Sequence, residues 1–400
     1  MKKWLVHLEN ALLFSPFFLV LVSIFNFSDT KSLISRLSLV VILYCLVRHR
    51  EAIKTNWDNK EYQSFFYVSS LIFFYFTVMH LWRGDNFGFP RTLLTCLVYI
   101  AVIPWRQFSQ RWIINTVVIA AYICGFNALY EHLVMNVGRV GIATNPIPYA
   151  LYCAFLSLSS LYLVNFYSRC WQKATSIAGC LLALYALVLT DVRGVLIVYP
   201  VMLSFVLINL FPRLSKVRLM GVIIVVVGGV YLAFKPTLDT RFERTAAEFQ
   251  IIAQGNYGNS IGVRLDLWQY GIQAWQSAPL FGLGDDSLEV GIRALPNKRA
   301  ARQPHLHNQY IDTLARYGLI GAILWFSWLA SAVYTTLNRD SSSPKRSHAP
   351  AVLMQTLIGL MLLASLTDIP FHHTHMVYLF SLIVGSLIMT RPHQADNANH

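Results

Sequence analysis

An 82-residue polar segment interrupts a chain that is otherwise close to continuously apolar. Hydrophobic stretches follow one another from Leu12 to Phe234, the chain is polar from Lys235 to Arg316, and it becomes apolar again at Gly318. Charged residues make up 13% of the sequence, whereas a soluble domain carries about 25%. The chain is therefore predicted to be a polytopic membrane protein with one long hydrophilic segment, residues 235–316.

The apolar stretches predict an all-α integral membrane fold with about twelve transmembrane helices. Because a helix needs about twenty apolar residues to cross a bilayer, the stretch 92–105 is short for a span. Residues 1–400 are expected to form a single membrane domain, with helices 1–9 in 12–234 and helices 10–12 in 318–390. The predicted spans are 12–28, 33–47, 64–82, 92–105, 113–131, 147–167, 174–190, 194–211, 217–234, 318–337, 351–367 and 374–390.

Basic residues set the predicted orientation of the chain. Lys2 and Lys3 put the N-terminus in the cytoplasm by the positive-inside rule. Seventeen Lys and Arg residues then fall on cytoplasmic segments and six on the short outer loops and their borders, which places residues 235–316 outside and both termini inside. The six outer residues are Lys31, Arg36, Arg83, Arg91, Arg139 and Arg193. The net charge of +13 is thus attributed to topology, and no nucleic-acid partner is expected.

Motifs for nucleotides and metals are missing from the sequence. Neither G-x-x-x-x-G-K-[ST] nor the paired-aspartate signature of many nucleotide-sugar transferases occurs, and neither C-x-x-C nor H-E-x-x-H spacing is present. The six cysteines lie in or beside predicted spans, so a disulfide-stapled outer domain is not expected. We expect no metal and no other cofactor.

A positively charged residue lies at the start of predicted span eight, at the outer face. Arg193 follows Asp191 and Val192 directly, and a positive charge at a helix N-terminus opposes the helix dipole, which favours anions there. Either Asp191 compensates the arginine in a structural pair, or Arg193 is held for an anionic ligand. The residues alone leave both interpretations open.

A surface helix is predicted over 261–277, after a first loop helix over 241–254. Apolar residues recur in it at helical spacing, and two tryptophans among them suit the headgroup level of a bilayer. Arg264 lies at the flank of this stripe, so its guanidinium is expected near the membrane plane, either as a snorkelling anchor or as a ligand contact. The stripe consists of Ile261, Leu265, Trp268, Ile272 and Trp275.

Two histidines and an amide precede the return to the membrane. Pro304 ends what comes before, and a helix is expected to begin near His307 or Asn308, with Asn308 as its N-cap. A helix N-terminus favours a neutral imidazole over a charged one, and a neutral histidine is what a general base requires. His307 is therefore a candidate base with His305 beside it, and the alternative is a pair of structural histidines.

The last outer loop combines Asp368 with His372, His373 and His375. This density of histidines invites a metal site, but no further carboxylate or thiol completes one. We expect a polar turn that borders the same cavity as the other candidate residues.

Three motifs taken together resemble the O-antigen ligases of Gram-negative bacteria, within the wider group of O-antigen polymerase-type membrane glycosyltransferases. The order and spacing of the motifs match over about residues 180–330. The motifs are the Arg193–Gly194 step at the start of a span, Arg264 followed by Trp268 and the Pro-Leu-Phe-Gly-Leu-Gly turn of residues 279–284, and His305-x-His307-Asn308 before the next span.

The resemblance implies a transferase of the bacterial inner membrane that acts at the periplasmic face. Its donor would be a polysaccharide on undecaprenyl pyrophosphate and its acceptor the lipid A–core, with membrane lipids around it. By the matching motifs Arg193 and Arg264 take donor-binding roles and His307 the catalytic role. His305 and Asn308 are assigned to substrate binding. A single displacement without ATP or metal would invert the anomeric configuration.

Three other functions stay open at this level. An O-antigen polymerase uses the same donor with a second lipid-linked glycan as acceptor, and a protein O-oligosaccharyltransferase glycosylates a pilin or another periplasmic protein. The end of the chain at residue 400, without a large extracytoplasmic extension, favours the ligase. A flippase or transporter is disfavoured because it predicts charges within spans or internal repeats. The oligomeric state is not assigned.

Overall fold

The structure is a computed structural model that describes residues 2–233, 235–337 and 348–390, and over these residues it contains helices and loops but no strand. The predicted all-α class is confirmed. Arg339, Lys345, Arg346 and Arg391, four of the seventeen basic residues assigned to the cytoplasmic side, lie outside the described residues. The α-helices are α1 (Lys2–Val22), α2 (Thr30–Arg48), α3 (Arg50–Trp57), α4 (Lys60–Arg83), α5 (Gly88–Val102), α6 (Gln110–Leu129), α7 (Pro146–Leu163), α8 (Cys170–Leu189), α9 (Arg193–Leu210), α10 (Lys216–Ala233), α11 (Lys235–Ala253), α12 (Ser260–Ser277), α13 (Asp285–Arg293), α14 (Gln309–Leu337), α15 (Ala349–Ala364) and α16 (Thr374–Met389).

Every predicted span overlaps one of these helices, although the first span, predicted over 12–28, lies in a helix that ends at Val22. The count of twelve is not confirmed. Within the described residues, eight helices are long and apolar enough to cross a membrane: α1, α2, α4, α6, α7, α8, α9 and α14. Three further apolar helices, α5, α15 and α16, are shorter. Helix α5 ends at Val102 because Pro104 follows almost at once and cannot continue a helix.

Helix α16 lies inside the bundle rather than at its surface. All fourteen residues from Met376 to Met389 are buried, and the helix packs against α5 and α15. Gly385 permits the close approach of α5, since a Cβ there would overlap the side chain of Ile100. A helix enclosed by its neighbours is stabilised by packing over its whole surface, which fixes the loop before it, residues 365–373.

The hydrophilic segment 235–316 folds into helices that carry the candidate site. The two predicted loop helices correspond to α11 and α12, whereas α13 was not predicted. Helix α12 packs against α14 through its small and aliphatic side, which includes Leu267 and Gly271. Two residues of the predicted apolar stripe are exposed, Leu265 at 38% and Ile272 at 44%, whereas Trp268 packs against the buried residues of the segment. The side of α12 with small residues packs against α14 because Gly271 lets the chain of α14 approach closely.

The Pro-Leu-Phe-Gly-Leu-Gly turn of 279–284 is shaped to fit a kink in α14. Gly318 has a φ of 65° inside that helix, a left-handed conformation that glycine adopts without strain, and a Cβ there would overlap the carbonyl oxygen of Leu280. The backbone N–H of Leu283 donates to the carbonyl of Ala315 at 2.8 Å. The turn therefore clamps the end of the hydrophilic segment against the start of the apolar part of α14.

Candidate active site

A cavity of about 600 Å³ opens between the start of α9, the first turns of α12, the segment before α14 and the loop between α15 and α16. It brings together three of the residues singled out from the sequence, Arg193, Arg264 and His307. Five guanidinium groups face two carboxylates across it, so its charge is positive overall. The ionisable lining residues are Arg139, Arg193, Arg264, Arg299, Arg302, Asp191, Asp368 and His307.

Arg193 enters the cavity from the N-terminus of α9. Its Nη1 lies 2.7 Å from Oε1 of Glu248 on α11, and the other carboxylate oxygen of Glu248 accepts the backbone N–H of Ile261 at 3.1 Å. The next residue, Gly194, is required because a Cβ there would lie 2.5 Å from the hydroxyl oxygen of Thr367. In the Arg193–Gly194 step, Arg193 is thus held by an ion pair, and Gly194 permits close contact with the loop that contains Asp368.

Arg264 is a partly buried arginine of the cavity that has no direct partner among the described residues. Its guanidinium makes no hydrogen bond or ion pair with any residue in the described part of the chain. Burial lowers its pKa, and the nearby Arg193 acts in the same direction, although the carboxylates of Asp368 and Glu248 oppose this. A guanidinium nevertheless stays protonated. An unpaired, partly desolvated cation of this kind favours an anionic ligand in the cavity.

Three further arginines of the cavity come from loops, and sequence reasoning gave them no role. Arg139 is fixed by a hydrogen bond from its Nε to the carbonyl of Thr190 at 2.8 Å, and burial lowers its pKa while Asp368 raises it. Arg299 and Arg302 also line the cavity. A sequence signal was available for Arg139 alone, because an arginine on a short loop that is predicted to lie outside is an exception to the positive-inside rule.

His307 adopts a left-handed backbone conformation, with a φ of 51°. A non-glycine residue pays about 1–3 kcal/mol for such a conformation, and residues of this kind cluster at functional sites. Its Nε2 lies 3.0 Å from the amide oxygen of Gln303. Its Nδ1 is buried without a hydrogen bond and lies 3.8 Å from Oδ2 of Asp368, an ion-pair distance that is longer than a hydrogen bond.

Asp368 and His305 define the electrostatics around His307. Burial raises the pKa of Asp368, but His307, His305 and the N–H of Ile369 outweigh it, so the pKa is lowered and the carboxylate is ionised. Burial lowers the pKa of His305 well below its usual value, which keeps that ring neutral. Nδ1 of His305 accepts the backbone N–H of His307 at 3.3 Å. His305 therefore supports the turn that presents His307.

Asn308 caps α14, as the sequence predicted. Its Oδ1 accepts the backbone N–H groups of Tyr310 and Ile311 at 3.0 and 3.1 Å. Its Nδ2 donates to the carbonyl of Leu366 at 3.1 Å. Both ends of the amide are used within the protein, so Asn308 ties the start of α14 to the loop that carries Asp368.

A buried arginine that sequence reasoning treated only as the end of the polar segment holds this region together. Arg316 is 1% exposed and pairs with Asp312 at 2.8 Å and with Asp285 at 2.7 Å. Its Nη2 also donates to the carbonyl of Pro304 at 2.9 Å, and Asp312 accepts the N–H of Leu306 at 3.1 Å. The network fixes the backbone on the N-terminal side of His307.

The candidate residues of the last loop divide between two cavities. Asp368 borders the arginine cavity as expected, but His373 and His375 line a separate cavity of about 590 Å³. The donor atoms of His305, His307 and Asp368 lie within 4.8 Å of one another, so this trio could hold a metal ion. That grouping differs from the one suggested by the sequence, because the fold brings 305–307 to Asp368.

Comparisons with known proteins agree with these motifs. The O-antigen ligase family model matches residues 178–326. An uncharacterized protein of Haemophilus influenzae is 24% identical over 332 residues, which cover 78% of this chain and 80% of that protein. The O-antigen ligase of Escherichia coli K12 is 22% identical over 212 residues, 51% of this chain and 49% of that protein. All three motifs lie within 178–326, and Arg139 and Asp368 lie outside it. Residues 178–326 are thus similar to the O-antigen ligase family, which confirms the resemblance given by the three motifs and supports a ligase- or polymerase-type glycosyltransferase.

Proposed function

We propose that this protein is an O-antigen ligase that transfers polysaccharide from undecaprenyl pyrophosphate to the lipid A–core at the periplasmic face of the Gram-negative inner membrane. The observation that carries the proposal is that the unpaired Arg264 and His307 line the same cavity. The carboxylate of Asp368 lies beside His307. The relative named as an O-antigen ligase and the matching family model support the same reaction class.

The arginines are proposed to bind the pyrophosphate of the donor. A guanidinium binds phosphate oxygens through two parallel charge-assisted hydrogen bonds, and Arg264 has no described partner that would compete. Arg193 is tethered by Glu248 at 2.7 Å, which pre-orients it at the cavity wall. Fixed positive charge also stabilises the negative charge that develops on the leaving pyrophosphate. The donor carries its own activation, so the reaction needs no ATP.

His307 is proposed to act as the general base. Asp368 faces Nδ1 at 3.8 Å, so the ring proton is placed on Nδ1 and Nε2 is the nitrogen that accepts a proton. The acceptor hydroxyl displaces the amide oxygen of Gln303, which lies 3.0 Å from Nε2 in the structure. The hydroxyl gives its proton to Nε2 while its oxygen forms a bond to the anomeric carbon. The bond from that carbon to the pyrophosphate oxygen breaks, and undecaprenyl pyrophosphate leaves with the electron pair. One displacement inverts the anomeric configuration.

Lipopolysaccharide electrophoresis of a strain that lacks this gene tests the proposed function. A ligase predicts the loss of every polymer band, with polymer accumulating on the lipid carrier. A surviving band with a single repeat unit would instead identify an O-antigen polymerase. An unchanged ladder would overturn the ligase proposal and point to a protein acceptor or to transport of the lipid-linked glycan.

A further inference from the structure

A further cavity, of about 660 Å³, lies on another side of α12 from the arginine cavity. Its volume is in the range of small-ligand sites, about 300–1,000 Å³. Among the described residues that line it there is no lysine or arginine, in contrast to the five arginines of the first cavity. The side chains with polar groups are amides, phenols and one carboxylate: Asn256, Gln269, Gln273, Asn297, Tyr257, Tyr270 and Asp266.

One face of helix α12 forms one wall of this cavity. Asp266, Gln269, Tyr270 and Gln273 follow at positions i, i+3, i+4 and i+7, which is the spacing of neighbours on one side of a helix. Arg264, which lines the arginine cavity, lies on another face. One helix therefore separates a cationic cavity from a polar one whose described lining has no basic residue.

The wall is fixed by contacts within the protein, whereas its amide groups remain available. Asn297 donates through Nδ2 to Oδ2 of Asp266 at 2.6 Å and to the carbonyl of Tyr257 at 3.0 Å. Within the described part of the chain, the side chains of Gln269 and Gln273 make no hydrogen bond. Each offers two N–H donors and one carbonyl acceptor to a ligand.

Gly291 on α13 lies against this wall. A Cβ on Gly291 would overlap the hydroxyl oxygen of Tyr270, so glycine is what allows that ring to lie against α13. Tyr257 also lines the cavity and is 42% exposed. Aromatic faces combine a large apolar contact area with a polar tip, and such faces together with neutral amides suit the alternating C–H and O–H surfaces of a sugar.

The two cavities meet at the N-terminal end of α12. Gly258 lines the polar cavity, whereas the next two residues, Asn259 and Ser260, line the arginine cavity. The boundary between the cavities also lies between Asn297, which lines the polar cavity, and Arg299, which lines the arginine cavity. Nη1 of Arg299 donates to the carbonyl of Gly258. A glycan whose pyrophosphate occupies the first cavity therefore has a short route into the second.

We propose that the polar cavity is a saccharide subsite that binds sugar units of the donor glycan beyond the unit attached to the pyrophosphate. This inference rests on the proposed function, because it takes the arginine cavity as the pyrophosphate site. The charge contrast determines the assignment: the anionic end of the donor belongs with the arginines, and its uncharged sugars belong with the amides.

Isothermal titration of the purified full-length protein in detergent tests the subsite directly. The probe is the oligosaccharide of one repeat unit, released by mild acid from the lipid-linked single repeat unit, before its polymerisation, of the strain that produces the protein. The double variant Gln269→Ala/Gln273→Ala should bind it about tenfold more weakly, since loss of one or two hydrogen bonds is worth that much. Gln276→Ala is the matched control, because Gln276 is exposed on the same helix but does not line the cavity.

Unchanged affinity in the double variant, or an equal loss in Gln276→Ala, overturns the subsite. Absence of binding by the wild-type protein overturns it as well. Because binding of a free oligosaccharide requires no transfer, this result is independent of the catalytic proposal. If the oligosaccharide binds and the double variant loses it while the purified protein transfers no glycan, the subsite stands and the ligase proposal fails.

Discussion

Replacing Arg264 with methionine separates a ligand-binding role from a structural one. The guanidinium lines the cavity and has no partner among the described residues. Methionine keeps an apolar stem that can pack along α12 and removes the charge. We therefore expect Arg264→Met to retain the fold and to lose transfer activity.

The expected magnitudes follow from the surroundings of the side chain. An unsatisfied buried polar group destabilises the folded state by about 1–3 kcal/mol, and Arg264 is only partly buried, so Arg264→Met should raise the free energy of unfolding by about 1 kcal/mol. A bidentate phosphate contact consists of two charge-assisted hydrogen bonds of about 1.5–3 kcal/mol each. Loss of about 3–4 kcal/mol in the transition state lowers kcat/KM by about 10²–10³-fold. Arg264→Lys keeps the charge but loses the fork, and should lose about tenfold.

Two measurements on each variant decide the matter: the free energy of unfolding in detergent, and kcat/KM with lipid-linked glycan. Arg193→Met is the matched control, since Arg193 has a partner in Glu248 at 2.7 Å. It should lose activity and also lose about 1 kcal/mol of stability. If Arg264→Met destabilises the protein as much as Arg193→Met does, or retains full kcat/KM, the reasoning is refuted.

Three further predictions concern the surroundings of the site. Arg316→Met should lower the free energy of unfolding by about 3–5 kcal/mol, because it leaves two buried carboxylates without their cation; a loss below about 1 kcal/mol in urea titration would contradict the network. Burial lowers the pKa of His373 to about 4, and burial also lowers the pKa of His305 well below its usual value. Below pH 6.5 the unfolded state therefore binds protons that the folded state does not. Stability should fall as the pH drops from 7 to 5, by about 2 kcal/mol from His373, and His373→Asn should flatten that dependence. Transfer should continue in chelator without nucleotide; if chelation stops it and magnesium or manganese restores it, His305, His307 and Asp368 hold a metal ion.

The helices could be predicted from the sequence because lipid-facing helices need long apolar runs. Their number could not, because burial by neighbouring protein allows shorter helices. Helix α16 illustrates this: it has 16 residues and is enclosed by the bundle. Hydropathy alone does not distinguish lipid from protein as the apolar environment.

The face of α12 shows a second limit. The apolar residues at helical spacing suggested one stripe, but the protein-facing side is built around Gly271 and Ala274, where small size permits close packing. The polar face over Asp266, Gln269, Tyr270 and Gln273 has the same periodicity, and its chemistry becomes interpretable only when the cavity beside it is known. Hydrophobicity alone gave no reason to prefer the small-residue side.

The candidate site was predictable where a motif is local and unpredictable where it is assembled by the fold. His307 and the cap Asn308 could be read from one short segment. The proximity of Asp368 to His307 joins residues about sixty positions apart, and no spacing rule gives it. Arg316 is a partial exception, since Asp312 lies four residues before it, the spacing of an ion pair on one helix face. Its burial at 1% exposure could be known only from the packing of α13 and the 279–284 turn around it.

Single-turnover transfer by the purified protein tests the central claim most directly, namely that His307 in the arginine cavity activates the acceptor against a lipid-linked pyrophosphate donor. Wild type, His307→Ala and the control His372→Ala, an exposed histidine of the neighbouring loop, would be compared with lipid-linked glycan and rough lipopolysaccharide. General base catalysis contributes about 10²–10⁴-fold, so His307→Ala should transfer at least about 10²-fold more slowly, while His372→Ala stays close to wild type. Transfer by His307→Ala at the wild-type rate would contradict the account.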